Sequence, residues 1–419
     1  MNILYLNTTY QCGGAEKVTA QLFHGMKHRG HQVYQIVSYD MRNAKLPQDV
    51  HVIYHNQAMR IFNRLITGNH SNQNQKIWYS REYIASFIKK HAIDVIHLHN
   101  PHDNFLGIED IKTLAKLRPV VWTLHDFWAM TGHCTYPYGC DDRWKKGCLT
   151  CDCLGNYPAL RKDVAAKLYQ AKKKAFSEEK IAFTVPSQWM QEQFESSHLR
   201  GQYCQCIYNS LDTNIWQPLD KQKVRAQYQL DVQGKVLGFI AADPQKKLKG
   251  MDLLLEALAQ LKDPEDYLLL VAGRENHTFD KLRTKFQIRH LGYLKTQREL
   301  NEFYAMADVL VNPSVYETFG LTNIEAMAAQ TPVIAFPVCT MPELVDKSCG
   351  WIAKEVSAAA LAEVIQKAFL DPGILQEKGI VSRAKAVQCF SEEVMLQQFE
   401  ELYKTLVIPE KEYRERIEE

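Results

Sequence analysis

The sequence predicts an α/β protein with parallel sheets, divided into two or three domains. Short apolar runs alternate with longer helical segments, as at residues 3–6 and 15–29. Fully apolar short runs are typical of strands that are buried on both faces of a parallel sheet. The alternation begins again at residues 235–241. A chain of 419 residues also exceeds the roughly 250–300 residues at which a single core stops growing.

The individual elements follow from the same alternation. Gly30 ends the first helix, because glycine accepts the left-handed backbone found just past a helix C-terminus. Residues 42–75 are polar and rich in Asn, Gln and His, which predicts an irregular excursion. Further strands are predicted at residues 32–38, 94–98, 120–124, 181–185, 205–208, 267–271, 309–311 and 333–336, and further helices at 78–91, 163–179, 251–261, 300–306, 322–329 and 391–403.

The composition is that of an ordinary globular protein and argues against several classes. Hydrophobic residues make up 46% and charged residues 23% of the chain, so a large core is available. A net charge of +2 gives no electrostatic argument for nucleic-acid binding. Residues 1–6 are too short an apolar run for a secretory leader, and no run approaches the ~20 residues of a membrane helix. Together with eleven cysteines, this predicts a cytoplasmic protein with free thiols or a metal site rather than disulfides.

The stretch at residues 309–335 predicts a ligand site. It reads as strand, loop, helix and strand, and its loop lies at the carboxyl end of the first strand, where open α/β sheets bind ligands. Gly320 allows a close turn before the helix. The backbone N–H groups of Gly320, Leu321 and Thr322 then lie at the helix N-terminus, where free donors and the helix dipole favour a phosphate.

Two carboxylates, Glu317 and Glu325, flank this predicted anion site. A carboxylate beside a phosphate needs a different partner, and sugar hydroxyls suit it because one carboxylate accepts two of them. The pattern therefore favours a nucleotide sugar. The alternative, from spacing alone, is an ordinary strand–helix–strand unit with two exposed glutamates.

A second loop, containing Gly13 and Gly14, follows the first strand. The strand–loop–helix–strand segment that contains this loop lacks the G-x-G-x-x-G sequence and the acidic residue of dinucleotide-binding domains. No nicotinamide, flavin or other organic cofactor is therefore expected. Either a functional glycine loop or a tight turn before the helix explains the segment, although a turn needs only one glycine.

The string Pro313-Ser314, followed by Glu317-x7-Glu325 and Ala-Met-Ala, resembles the donor-site signature of the family-4 retaining glycosyltransferases of bacterial polysaccharide or lipopolysaccharide synthesis. The resemblance extends over nearly the whole chain. It implies the GT-B fold, in which two Rossmann-like domains with parallel sheets face an interdomain cleft. The resemblance places an acceptor domain at residues 1–208, a nucleotide-sugar domain at 209–395, and a C-terminal helix at 396–419 that crosses back to the first domain.

The same resemblance implies roles for individual residues. Lys249 resembles the lysine that holds the leaving diphosphate, so no divalent metal is required there. An arginine that the family usually has nearby is absent, and Lys246 or Lys247 is expected to replace it. Glu325 is expected to hold the ribose and Glu317 a sugar hydroxyl. Contacts with the nucleotide sugar are expected from Gly13, Gly14, Lys247, Lys249, Tyr293, Phe319, Gly320, Leu321 and Glu325.

Four histidines lie in two loops that follow predicted strands. His125-Asp126 resembles the family's segment in which a histidine lies beside the transferred sugar, and its imidazole N–H can donate to a sugar hydroxyl. For His99 and His102, in the other loop, a structural role is expected. The catalytic residues that the resemblance implies are His125, Glu317 and Lys249.

Five cysteines fall within residues 132–154, an insertion without the periodicity of a helix or a core strand. Cys148-x2-Cys151 has the spacing of a metal-binding pair, and thiolates suit tetrahedral Zn²⁺. We therefore expect a structural zinc site, with Cys153 and His133 as alternative ligands; the competing interpretation is a set of free or oxidisable thiols. The expected ligands are Cys134, Cys140, Cys148 and Cys151.

The helix predicted at residues 163–179 carries a basic band. Such a band is usually a solvated face, and contact with the anionic inner surface of a membrane is a further expectation. The band consists of Lys167, Lys172, Lys173 and Lys174.

The function expected from these observations is retaining transfer of a sugar from a nucleoside-diphosphate donor to a glycan or lipid-linked acceptor, in cell-surface polysaccharide synthesis. The alternatives are an epimerase or phosphorylase of the same fold, and a sugar-binding relative without turnover. The full set of charged and glycine residues argues against the latter. A nucleic-acid-binding zinc module is disfavoured because the chain is nearly neutral.

Overall fold

The fold is described from a computed structural model, for residues 1–10, 13–39, 46–54, 58, 61, 78–102, 105–230, 234–243, 247–274, 279 and 286–407. The chain forms two compact units. The first contains residues 1–207 together with the chain from Leu396 onward, and the second contains residues 208–395. Most of the polar excursion predicted at 42–75, and Lys246, lie outside the described residues.

The first unit is built on a seven-stranded sheet whose neighbouring strands are all parallel. The strand order is β3-β2-β1-β4-β5-β6-β7. The strands are β1 (Asn2–Asn7), β2 (Gln32–Val37), β3 (Val50–Val52), β4 (Val95–Leu98), β5 (Val120–Thr123), β6 (Ile181–Val185) and β7 (Cys204–Cys206), and the helices are α1 (Gly14–His28), α2 (Trp78–Lys90), α3 (Ile108–Leu117), α4 (Ala165–Glu178) and α5 (Gln188–Glu195).

The second unit is built on a six-stranded parallel sheet of order β10-β9-β8-β11-β12-β13. Its strands are β8 (Lys235–Ala241), β9 (Tyr267–Gly273), β10 (Gln287–Gly292), β11 (Val309–Asn312), β12 (Val333–Ala335) and β13 (Gly350–Ile352). Its helices are α6 (Lys221–Gln227), α7 (Met251–Leu258), α8 (Gln297–Met306), α9 (Leu321–Ala328), α10 (Met341–Leu344), α11 (Ala358–Ala368) and α12 (Pro372–Phe390).

The last helix, α13 (Glu392–Val407), continues into the first unit from Leu396 onward. Its Tyr403 is fully buried there, and the Tyr403 hydroxyl lies 3.3 Å from the hydroxyl of Tyr5 on β1. Leu396 packs so closely on Gly25 of α1 that a Cβ at Gly25 would lie 2.4 Å from a Leu396 methyl group. The helix is therefore part of the first unit's core.

Burial explains why these segments form strands. Every residue of β4, β5, β6, β9 and β11 is buried. Strands of a parallel sheet are covered by helices on both faces, so they can be apolar throughout instead of alternating. Several helices begin at a side-chain cap that satisfies free N–H groups, such as Thr296, which forms a reciprocal capping box with Glu299 at the start of α8.

The strand order places a topological switch point in each sheet, where chain connections leave in opposite directions. In the first sheet it lies between β1 and β4, and in the second between β8 and β11. Loops at the carboxyl ends of two such strands diverge and leave room for a ligand. The loops that contain the predicted site residues are therefore those that the topology assigns to ligand binding.

The predicted fold class, two α/β domains with parallel sheets, is confirmed. Three strands were not predicted, namely the three-residue strands β3 and β13 and the six-residue strand β10. Helices α3, α5, α6 and α11 were also not predicted, and neither was α12. Its interior Gly379 is unfavourable in a helix but allows close packing, because a Cβ there would lie 2.7 Å from the carbonyl oxygen of Gln330.

Within the described residues, none of the helices combines the length and the apolar character needed to cross a lipid bilayer.

Candidate active site

In the second unit, the loops after β8 and β11 pack directly against each other. The backbone N–H of Val315 donates to the carbonyl oxygen of Leu248 at 3.0 Å. Gly250 has a left-handed φ of 64°, and a Cβ there would lie 1.8 Å from the carbonyl oxygen of Pro313. Only glycine permits this approach, which explains why it follows Lys249.

This packing brings together the two charged residues predicted for donor chemistry. The Lys249 ammonium lies 2.7 Å from Oε2 of Glu317 and donates a hydrogen bond to it. Both side chains are partly exposed, at 36% and 18%. An ion pair that solvent reaches is worth little, typically about 0–1 kcal/mol. The positive charge of Lys249 is therefore balanced by Glu317, yet a diphosphate can replace Glu317 as its partner at a small cost in free energy.

Gly320 forms the predicted turn before α9. Its φ of 94° lies in the left-handed region, which glycine adopts without steric cost. A Cβ at this position would meet the side-chain nitrogen of Asn323 at 2.8 Å and Cγ of Glu317 at 3.3 Å. The first N–H groups of a helix lack partners within it, so the start of α9 can accept an anion close to Glu317.

Glu325 is buried on α9, and its Oε2 accepts a hydrogen bond from the hydroxyl of Tyr304 at 2.8 Å. Burial, together with the carboxylate of Glu325, raises the pKa of Tyr304 well above its ordinary value, so this hydroxyl stays a donor. Tyr304, on α8, was missed by the sequence analysis because nothing near it in the chain indicates its partner. It orients Glu325 for the role expected of it.

The remaining residues predicted to contact nucleotide are placed differently from one another. Phe319 is buried, and its ring packs on Phe390 with centroids 6.0 Å apart, so its side chain belongs to the core rather than to a ligand site. Leu321 is half-buried against the same core. Lys247 and Tyr293 are exposed after β8 and β10.

In the first unit, the predicted catalytic histidine is buried and hydrogen-bonded to another histidine. His125 Nε2 lies 2.8 Å from His99 Nδ1. Burial lowers the pKa of His125 to about 4, partly opposed by the charge of Asp126. His125 is therefore neutral at pH 7 and has one N–H to donate. His99, for which only a structural role was expected, is in direct contact with it.

Asp126 orients the loop that follows His125. Its Oδ2 lies 2.9 Å from Nε2 of His102, and its Oδ1 accepts from the backbone N–H of Trp128 at 2.8 Å. His102 is buried. The two loops that carry the histidines are thus connected twice, through His99–His125 and through His102–Asp126.

The glycine loop approaches a carboxylate that the sequence analysis did not single out. A Cβ on Gly13 would lie 2.5 Å from Oε2 of Glu16. The φ of Gly13 is 175°, which is ordinary extended backbone, so glycine serves here for the close approach and not for a special dihedral. Gly14 begins α1. Burial raises the pKa of Glu16, opposed in part by its own backbone N–H and the charge of His102.

Among the described residues the predicted zinc ligands are not grouped as a metal site, and the zinc site stays a prediction. Within the described residues, which include all five cysteines of the insertion, no three His, Cys, Asp or Glu side chains are grouped to hold a metal ion. Burial raises the pKa of Cys134 to about 12 and that of Cys148 to about 11, so both are protonated thiols when no cation lies beside them. The ligand set that the structure does not assemble is Cys134, Cys140, Cys148 and Cys151.

Packing and hydrogen bonds order this insertion instead. Trp144 is buried, and its ring lies edge-on to Phe127 with centroids 5.3 Å apart. His133 Nδ1 donates to the carbonyl oxygen of Pro158 at 2.9 Å, which leaves Nε2 to accept from the Cys151 thiol at 3.4 Å. The segment lacks periodicity because it uses single anchors rather than a regular element.

Lys172 departs from the basic band predicted on α4. Lys167, Lys173 and Lys174 are exposed, but Lys172 is fully buried. Its ammonium donates to the carbonyl oxygens of Trp128 and of Thr131, the latter at 3.1 Å, and lies 3.8 Å from the centre of the Trp128 ring. It therefore ties down the loop that follows His125-Asp126.

Comparisons with known proteins agree with this geometry. Residues 12–215 match the family described as Glycosyltransferase Family 4, and residues 220–386 match the family described as Glycosyl transferases group 1. The chain belongs to glycosyltransferase family 4 and is a glycosyltransferase. The predicted family is confirmed.

Three similar proteins extend along nearly the whole chain. WcaC of Escherichia coli strain K12, named as a colanic acid biosynthesis glycosyl transferase, is 27% identical over 97% of this chain and 100% of its own. Sucrose-phosphate synthase from Thermosynechococcus elongatus has a TM-score of 0.73 at 18% identity, covering 97% and 98% of the two chains. Anabaena Alr3699/HepE in complex with UDP has a TM-score of 0.69 at 18% identity, covering 97% and 100%. The structural likenesses confirm the GT-B fold.

We predict that Lys172→Met destabilises the first unit and that the loss grows with pH. The variant removes the ammonium donor from two buried carbonyl oxygens, and an unsatisfied buried acceptor costs about 1–3 kcal/mol. Burial lowers the pKa of Lys172 from 10.5 to about 7, although nearby thiol and carboxylate charges oppose the shift. Between these values the unfolded chain binds the extra proton, so wild-type stability gains with rising pH and the variant lacks that gain.

Chemical denaturation at pH 6 and pH 9 measures this difference. The gap in unfolding free energy between wild type and Lys172→Met should be larger at pH 9. Lys173→Met, at the exposed neighbouring position, is the matched control and should change stability by no more than about 0.5 kcal/mol at either pH. An equal gap at both pH values would contradict the predicted shift.

Proposed function

We propose that this glycosyltransferase is a retaining enzyme that transfers a sugar from a nucleoside-diphosphate donor to a glycan or lipid-linked acceptor in cell-surface polysaccharide synthesis. The observation that carries the proposal is the Lys249–Glu317 pair next to the start of α9, at the switch point of the second sheet. The names of two similar proteins support it: colanic acid biosynthesis for WcaC, and a complex with UDP for HepE.

The second unit contains the groups that a leaving diphosphate requires. Lys249 provides a cation and the N-terminus of α9 provides backbone N–H groups. As the bond to the sugar breaks, negative charge builds on the diphosphate, and preorganised donors that meet this charge usually contribute most to catalysis. In this mechanism the diphosphate takes Lys249 from Glu317, and the released carboxylate accepts a hydroxyl of the sugar.

His125 acts in the first unit as a hydrogen-bond donor rather than as a base. Its lowered pKa keeps it neutral, so it can orient a hydroxyl of the transferred sugar without carrying charge. Glu16 lies beside Gly13, burial raises the pKa of its carboxyl group, and a carboxyl group at this position suits contact with an acceptor hydroxyl. Analysis of the reaction products distinguishes the proposed transferase from a phosphorylase or epimerase of the same fold.

Nucleotide binding is the first test, and Glu325 is its sharpest probe. Wild-type protein should gain thermal stability with one of UDP, GDP or ADP. Glu325→Gln keeps an acceptor for Tyr304 but removes the charge proposed to hold the ribose. Loss of a hydrogen bond to a charged group costs about 1.5–3 kcal/mol, so nucleotide affinity by calorimetry should fall roughly ten- to a hundred-fold.

Tyr304→Phe is the matched control, because it alters the same contact but leaves the carboxylate in place. It should weaken nucleotide binding less than Glu325→Gln does. Unchanged affinity in Glu325→Gln would refute the ribose assignment. If none of the three nucleotides binds wild-type protein, the donor class itself is wrong.

Substitutions of Lys249 and of Glu317 should have different kinetic effects. Lys249→Met should lose at least about a hundred-fold in kcat, because it removes the cation from the developing diphosphate charge. Glu317→Gln should retain or improve nucleotide affinity, since Lys249 is then unpaired, but should lower kcat. Lys247→Met, at the exposed position expected to supply a second cation, should lower kcat less than Lys249→Met does. Normal kcat in Lys249→Met with loss in Lys247→Met would transfer the diphosphate role to Lys247.

We also propose that the reaction takes place in the cytoplasm with peripheral contact at the inner membrane surface. After burial of Lys172, the basic surface of α4 retains Lys167, Lys173 and Lys174. Basic side chains contribute about 1 kcal/mol each near an anionic membrane. Sedimentation with vesicles containing anionic phospholipid should therefore fall several-fold on joint Lys173→Glu and Lys174→Glu substitution; equal sedimentation would contradict the contact.

A further inference from the structure

We propose that His99 is a positioning residue that sets the tautomer of His125, so that His125 carries its proton on Nδ1 and presents it to the transferred sugar. The inference rests on the proposed function for the identity of the sugar partner. The tautomer of His125 follows from the hydrogen bond between the two histidines and does not depend on the proposed function.

Three imidazoles form a continuous stack at the carboxyl ends of β4 and β5. The rings of His97 and His99 have centroids 4.2 Å apart and planes inclined by 29°, and those of His99 and His125 are 5.2 Å apart at 18°. His97 and His99 are 0% and 1% exposed, whereas His125 retains 8%. The stack therefore runs from the interior toward the surface and ends at His125.

The hydrogen bond between His99 Nδ1 and His125 Nε2 contains a single proton. Burial lowers the pKa of both rings, and neighbouring imidazole charges lower that of His99 further, so both are neutral near pH 7. In a neutral imidazole one nitrogen is a donor and the other an acceptor. Either His99 donates and His125 is protonated on Nδ1, or His125 donates and His99 is protonated on Nε2.

The surroundings of His99 decide between the two. Its Nε2 is buried and has no hydrogen-bond partner among the residues that the structure describes. If His125 were the donor, this nitrogen would be an unpaired buried N–H, which native structures avoid more strictly than an unpaired acceptor. His99 therefore donates from Nδ1, and the proton of His125 lies on Nδ1.

His97 is held in place by two hydrogen bonds at the inner end of the stack. Its Nδ1 lies 2.6 Å from the hydroxyl of Tyr403 on α13, and its Nε2 lies 2.7 Å from Oγ1 of Thr123 on β5. Both nitrogens are thus occupied, and the ring that stacks on His99 is held by two elements. Such buried, connected networks specify one geometry more strongly than single contacts do.

The test compares three substitutions at one position in the full-length protein. His99→Phe keeps an aromatic ring in the stack but removes the donor. His99→Asn places an amide N–H near the position of Nδ1 and can restore it, whereas His99→Gln places its amide near Nε2 and cannot. Thermal unfolding checks that each variant folds, and the Asn and Gln pair remains informative if His99→Phe does not.

The first measurement is long-range ¹H–¹⁵N correlation of the imidazoles in histidine-labelled protein, which reports the tautomer of His125. Wild type and His99→Asn should show His125 protonated on Nδ1, and His99→Phe and His99→Gln should show a mixture or the Nε2 form. An Nε2-protonated His125 in wild type, or the same tautomer in all variants, would overturn the assignment. This measurement does not depend on any transfer reaction.

The second measurement is kinetic. With the nucleotide sugar that wild type uses, kcat should fall about tenfold or more in His99→Phe and His99→Gln, corresponding to roughly one hydrogen bond, and recover in His99→Asn. The affinity for UDP, GDP or ADP should stay within about twofold, because the nucleotide groups lie in the second unit. If the tautomers are as predicted but kcat is the same in all variants, the tautomer of His125 is correctly assigned. His125 then has no role in the reaction.

Discussion

The constraint on which this protein depends is the divergence of loops at the carboxyl ends of parallel strands. Strands buried on both faces are mostly apolar, and the few polar side chains they carry, such as His97 and Thr123, are bonded within the interior. Reactive groups that can meet a ligand therefore collect where the chain leaves the sheet. At the second switch point this brings Lys249 to Glu317. At the ends of β4 and β5 it brings His99 to His125. In each case residues distant in sequence meet because their strands are neighbours in the sheet.

The two groups of residues use electrostatics in opposite ways. The Lys249–Glu317 pair is accessible to solvent, so it stabilises the fold little and can exchange one partner for a ligand. The histidine stack and Lys172 are withdrawn from solvent, and burial removes or weakens their charge. In the proposed reaction, exchangeable charge suits a leaving group that departs after each cycle. Neutral, fixed donors suit the proposed orientation of a sugar hydroxyl.

Sequence alone was sufficient for most of the sheet strands and for the residues next to glycine signals. Apolar runs such as β9 have few competing structures, and Gly250 and Gly320 mark positions where left-handed backbone is required. The three-residue strands β3 and β13 were missed because so short a run shows no hydrophobic periodicity. The zinc prediction was not supported, since thiol spacing along the chain does not determine convergence in space.

Only the tertiary structure decided the partners. Lys172 is the same residue type as its exposed neighbours, and its burial follows from the loop that packs over α4. In the sequence, Tyr304 and Tyr403 resemble ordinary core aromatics. In the structure, the hydroxyl of Tyr304 donates to Glu325 and the hydroxyl of Tyr403 lies beside His97. The sequence determined which residues have reactive chemistry and which strand each one follows. Which nitrogen, carboxylate or ammonium meets which partner depends on the sheet order, because contacts between neighbouring strands join positions that no local pattern connects.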